Sequence, residues 1–142
     1  MNKSINYVML APKMVSAVVR LEYLTRKITL DKGFSELIKL HVSKINGCSY
    51  CIQLHKKKAI KYGEEARVSA ISNWRETDVF SEKERLCLEL AEKLTLISQN
   101  EITDELYSRI SEHFTDKEYT GIVMMINVIN LWNRIAIPFG KH

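Results

Sequence analysis

Two apolar-periodic runs meet at Asn46-Gly47, and this junction constrains the fold more than any other feature of the chain. The first run, Phe34 to Ile45, places Leu37, Ile38, Leu40, Val42 and Ile45 on helical spacing. The second, from about Cys48 to Tyr62, stops at Gly63, where glycine can end a helix in a left-handed conformation. A helix that ends at Asn-Gly and restarts one residue later reverses onto its successor, so the spacing predicts a helical hairpin. The remaining punctuation agrees. Pro12 suits a first helical turn, and the recurrence that follows runs to about Ile28. Ser81-Glu82-Lys83-Glu84 and Thr115-Asp116-Lys117-Glu118 match the capping box and open runs of helical periodicity to Ile97 and Ile137. A shorter helix is expected from Thr103 or Asp104 to Phe114, and another near Glu65 to Ile71. The stretch Ser72 to Phe80, which carries Trp74, reads as a polar connection.

No alternating strand pattern exceeds a few residues, and the 142 residues hold five glycines and two prolines. The expected fold is all-α, a single-domain bundle of about six or seven helices over residues 1–142. At 46% hydrophobic content such a chain buries a core without staples. The formal charge of +4 is mild, and Lys56, Lys57 and Lys58 fan around a helix rather than forming one stripe, which reads as a solvated face and argues against a nucleic-acid partner. Tyr119 to Asn133 carries no charge but is shorter than the roughly 20 residues a membrane span needs, so no membrane partner is expected. Three cysteines without a signal-peptide pattern in Met1 to Leu10 indicate a cytoplasmic protein, where a close cysteine pair serves catalysis or metal binding.

The chemistry concentrates in Cys48-Ser49-Tyr50-Cys51-Ile52-Gln53-Leu54-His55. On one helix the two thiols and the imidazole fall at i, i+3 and i+7 and share a face. A free thiol with a pKa of about 8.5 is mostly protonated at neutral pH, while the thiolate is the reactive form. A helix terminus contributes only about 0.3 to 1 kcal/mol, less than one pKa unit. His55, four residues beyond Cys51, can take the thiol proton and pair with the thiolate. Glu36, on the preceding helix, can fix the imidazole tautomer from the far ring nitrogen. Cys48 can then close a disulfide, since i to i+3 on a helix start suits the usual Cα separation of about 4.4 to 6.8 Å. The sequence of steps is oxidation of Cys51 by a peroxide to a sulfenic acid, condensation with Cys48, and reduction by an external dithiol, with no bound cofactor.

Glu36, eleven intervening residues, and Cys48-x-x-Cys51-x-x-x-His55 resemble the signature of the alkylhydroperoxidase D (AhpD) family, within the carboxymuconolactone decarboxylase-like superfamily. Ile45-Asn46-Gly47, Phe80-Ser81-x-Lys83-Glu84-Arg85, Ile126-Asn127 and Asn133-Arg134 extend the likeness over nearly the whole chain. The resemblance implies an AhpD-like helical fold, assembly into homo-oligomers (a trimer or hexamer), and thiol-dependent reduction of hydroperoxides with a dithiol or thiol-protein as reductant. It implies Cys51 as the peroxide-reactive thiol, Cys48 as the resolving one, and Glu36 and His55 as a proton relay. A further relay histidine precedes the second cysteine in the best-studied type of member; here that residue is Tyr50.

Two other readings fit the same residues: a non-catalytic redox sensor, or a zinc-binding helical module in which Cys48, Cys51 and His55 take a fourth ligand from Glu36 or Cys87. Cys87, among Leu86, Leu88, Leu90 and Ala91, reads as a small buried hydrophobe, and His41 as a surface or satisfied core histidine. His113 and His142 belong to no cluster. The Asn127, Asn130, Asn133 stripe is expected to pair polar groups between helices. Arg134 is expected to meet a carboxylate, and Met124, Met125, Trp132 and Ile135 to pack in a core or an interface.

Overall fold

The computed structural model describes residues 5–140, so His142 lies outside the described residues. Among these the chain forms eight α-helices and no strand. They are α1 (Tyr7–Leu10), α2 (Pro12–Thr25), α3 (Lys32–Asn46), α4 (Ser49–Lys61), α5 (Glu65–Val68), α6 (Glu82–Thr95), α7 (Asp104–Ser111) and α8 (Asp116–Ala136). The one-turn α1 is the element that carried no periodic signal, since four residues are too few to display one. Pro12 opens α2, and both expected capping boxes are formed, Ser81 with Glu84 on α6 and Thr115 with Glu118 on α8. Short 3-10 turns at Ile71–Asn73 and Ile97–Gln99 complete the list.

The bundle is built around α3, which packs against α4, α6 and α8. Every residue from Gly33 to Ser43 is buried, including Ser35, Glu36, Lys39, His41 and Ser43. A helix covered on all sides must satisfy its polar side chains internally, because an unpaired buried group forfeits its hydration. The Ser43 hydroxyl accepts from Asn133 Nδ2 at 3.1 Å on α8. His41 Nε2 lies 2.9 Å from Glu92 Oε1 on α6, while His41 Nδ1 is buried without a partner. Glu92 also accepts from the Trp74 indole at 2.8 Å and from Arg75 at 2.7 Å, so the stretch read as a polar connection folds inward and buries Trp74.

The α3–α4 hairpin forms as the sequence implies, and its corner does two jobs. Gly47 adopts φ 70°, the left-handed region that glycine enters without steric cost. The Gly47 N–H donates to the Lys44 carbonyl and the Cys48 N–H to the Ser43 carbonyl, the paired bonds of a Schellman motif. Cys48 is at once the second residue past α3 and the N-cap of α4, so its backbone is fixed from both sides. Asn46 anchors this corner to α8, donating to Asn130 Oδ1 at 3.0 Å and Asn133 Oδ1 at 2.9 Å. Asn130 in turn donates to Thr95 Oγ1 on α6. The asparagine stripe thus splits: Asn130 and Asn133 pair helices, and Asn127 is exposed. Arg134 meets the Asn130 side-chain oxygen and the Thr95 carbonyl rather than the expected carboxylate. Met125 is in the core, whereas Met124 is exposed. No helix among the described residues is long and apolar enough to cross a membrane.

Candidate active site

Cys48 and Cys51 are joined as a disulfide with their Cα atoms 5.2 Å apart, inside the range expected for two cysteines one helical turn apart at a helix start. The Cys51 N–H donates to Cys48 Sγ at 3.3 Å, so sulfur occupies the N-cap role normally taken by an oxygen. Both residues are buried and pack with Ala136 and Ile137 at the end of α8, apart from the main core. They differ in one respect. Cys51 lines a cleft of about 240 Å³, together with His55, Tyr50, Leu54, Lys58 and Trp132, and Cys48 does not.

Glu36 and His55 are brought together by the packing of α3 on α4. His55 Nδ1 lies 2.7 Å from Glu36 Oε2, and both side chains are about nine-tenths buried. The other Glu36 oxygen accepts from Lys39 Nζ at 3.4 Å. Burial opposes the charge of Glu36, but the bond from His55 and the positive charge of Lys39 outweigh it and hold the carboxyl below its ordinary pKa. For His55 burial dominates: it disfavours the imidazolium, and the Lys39 and Lys58 ammoniums add to that against the pull of Glu36, so its pKa also falls. At neutral pH the pair is therefore a carboxylate and a neutral imidazole. A carboxylate can only accept, so the Nδ1 proton faces Glu36 and Nε2 carries the free lone pair. His55 is one helical turn from Cys51 and shares its cleft, the placement a base for the thiol proton requires.

Of the four residues singled out by spacing, Cys51 and His55 line the cleft, while Cys48 reaches it only through its bond to Cys51 and Glu36 through its bond to His55. Sequence reasoning missed Lys39, whose only signal was its i+3 spacing from Glu36, and it missed Tyr7, Glu22 and Trp132, which join the Cys51 cleft from distant segments and carry no local signal. Cys87 is apart from this site, buried between α3 and α8 residues, and burial pushes its thiol up to about 12, as suits an inert core residue. Among the described residues no group of three or more His, Cys, Asp or Glu side chains is arranged to hold a metal ion.

An all-helical bundle with a disulfide at the start of one helix and a buried His–Glu pair behind it defines a class, and the sequence comparisons agree with it. Residues 12–93 match the carboxymuconolactone decarboxylase family, and the chain belongs to that family. It is 39% identical to the uncharacterized protein YdfG of Bacillus subtilis over 143 aligned positions, covering 100% of this chain and 97% of that one. A solved structure from Agrobacterium tumefaciens, described as a protein of unknown function and candidate antioxidant defence protein AhpD, superposes with a TM-score of 0.92 at 36% identity over 99% of this chain and 97% of its own. The alkylhydroperoxidase AhpD core of an uncharacterized peroxidase-related protein from Ralstonia eutropha gives 0.82 at 25% identity, over 96% and 73%. The fold is AhpD-like.

Proposed function

We propose that the protein is a cytoplasmic thiol-dependent peroxidase that reduces hydroperoxides through the Cys48–Cys51 pair. The observation that carries this reading is that Cys51, and not its partner, shares a cleft with an imidazole whose Nδ1 side is held by a buried carboxylate. In the reduced form His55 Nε2 takes the Cys51 proton. The thiolate attacks the outer peroxide oxygen, the O–O bond breaks, and the departing oxyanion takes the proton from His55 and leaves as water or an alcohol. Sulfur, oxidised by two electrons, becomes a sulfenic acid. The Cys48 thiol displaces water from it to form the disulfide, and an external dithiol or thiol-protein returns the two electrons. Glu36 stabilises the transient imidazolium without taking its proton, and Tyr50 lines the cleft beside Cys51.

Hydroperoxide consumption with dithiothreitol as reductant tests the reading. Turnover in the parent protein, its loss in Cys51→Ser, and accumulation of a dimedone-reactive sulfenic acid in Cys48→Ser are expected. One equivalent oxidised per chain with no turnover would return the protein to the role of a redox sensor. Assembly into a trimer or hexamer belongs to the same proposal. It is supported by the apolar side chains that α1 and α2 leave outside, Met9, Leu10 and Met14 being 75–77% exposed. Light scattering should give a mass several times 16.5 kDa that drops in Met14→Glu.

A further inference from the structure

Beside Glu36, the end of α2 and facing sides of α3 and α4 line a second cleft of about 360 Å³. Five cations line it, Arg26, Lys32, Lys39, Lys58 and Lys61, against one carboxylate, Glu36. That carboxylate is already committed to His55 and Lys39, and Arg26 is matched outside the cleft by Glu22. Lys32 donates to the Arg26 carbonyl, and Lys58 and Lys61 form no close ion pair among the described residues, Lys58 reaching Glu36 only through its longer-range charge. Lys39 is 8% exposed, yet of its three ammonium donors only one is used, in a long bond of 3.4 Å.

Clustered ammoniums repel one another, and burying one is costly unless negative charge compensates it. The fold supplies less than this cleft needs. The geometry points to a binding site for a small oxyanion-bearing ligand, a carboxylate or phosphate compound, held between Lys39 at the floor and Lys58 and Lys61 at the mouth. The volume is that of a small-molecule pocket. Lysines suit the task, because each presents a point charge with several donors to oxygens that can only accept. Lys58 also lines the Cys51 cleft, so the ligand would sit directly behind the relay.

The site needs no thiol, so it can be tested on the Cys48→Ser/Cys51→Ser chain as well as the parent, and the peroxidase reading can fail without affecting it. Titrations with inorganic phosphate and with malonate, followed by calorimetry and by amide chemical shifts at constant ionic strength, should saturate. One saturating and the other not would still establish the site and identify the preferred oxyanion. Affinity should fall roughly tenfold or more in Lys58→Gln/Lys61→Gln, the size of one lost charge-assisted bond. Lys61→Glu, at an exposed position, provides the same reading if the double variant does not fold. No saturation with either anion overturns the proposal. So does equal binding by chloride, survival of binding in the variants, or capture of poly-glutamate alone.

Discussion

At the scale of residues, the site depends on how burial and charge divide a proton between Glu36 and His55. Both pKa values lie below their ordinary positions, for different reasons: the carboxylate because cations and a donor surround it, the imidazole because burial penalises its charged form. Lys39 acts on both in the same direction. Lys39→Met should therefore raise both pKa values, and NMR titration of the His55 ring should show its midpoint moving upward. A His55 midpoint that stays put would mean Lys39 has no electrostatic hold on the pair. His55→Ala should slow alkylation of reduced Cys51 by iodoacetamide about a hundredfold near neutral pH and shift its pH profile upward, the usual size of a lost proton acceptor. The same profile in both proteins would remove His55 from the thiol's activation. The Cys48, Cys51 and His55 spacing was legible because helical periodicity converts it directly to a shared face, and Glu36 because the Asn46-Gly47 hairpin folds its helix onto theirs. Lys39 was less so, since a lysine three residues from a glutamate is ordinary on an exposed helix and becomes informative only once that helix is known to be buried.

At the scale of elements, the α3–α4 corner transmits order to the thiols. Gly47 is the left-handed residue of the Schellman motif, with nothing within 4 Å of where a Cβ would stand, so the cost of a side chain there is purely conformational. Gly47→Ala should lower stability by about 1 kcal/mol and the melting temperature by a few degrees. Because Cys48 follows immediately, the same substitution should change the Cys48–Cys51 reduction potential measured against glutathione. An unchanged potential would show that the corner sets stability alone. The helix starts were readable because capping boxes are local chemistry, and α6 and α8 begin where Ser81 and Thr115 said they would. The inward turn of Trp74 was not, because its signal is Glu92, eighteen residues away, reaching the indole from another helix.

At the scale of the whole molecule, carboxylates held by donors and cations make folding depend on pH. Although burial favours the neutral acid, His41, Arg75 and Trp74 together hold the Glu92 pKa at about 2, against an ordinary 4.5. The carboxylate is bound more favourably in the folded state, so its contribution is fully present above pH 4.5 and is lost as the pH falls toward 2. Glu36, lowered in the same sense, adds to the acid lability. Urea midpoints followed between pH 7 and pH 2 should decline steeply in the parent and more gently in Glu92→Gln, with the two proteins converging at the acid end. Parallel curves would mean that Glu92 carries no linked stability. The exposed apolar residues of α1 and α2 belong to this scale too, since no element among the described residues covers them.

The sequence by itself determined the all-helical architecture, the hairpin at Asn46-Gly47, and the common face of Cys48, Cys51 and His55, because each follows from bonds and spacings within a few residues. Only the tertiary structure decided that α3 is wrapped on every side and that Cys51 rather than Cys48 meets a cleft. It also decided that five cations gather behind Glu36. Those outcomes depend on which helices pack together, and packing brings side chains together from segments whose separation along the chain leaves no periodic trace.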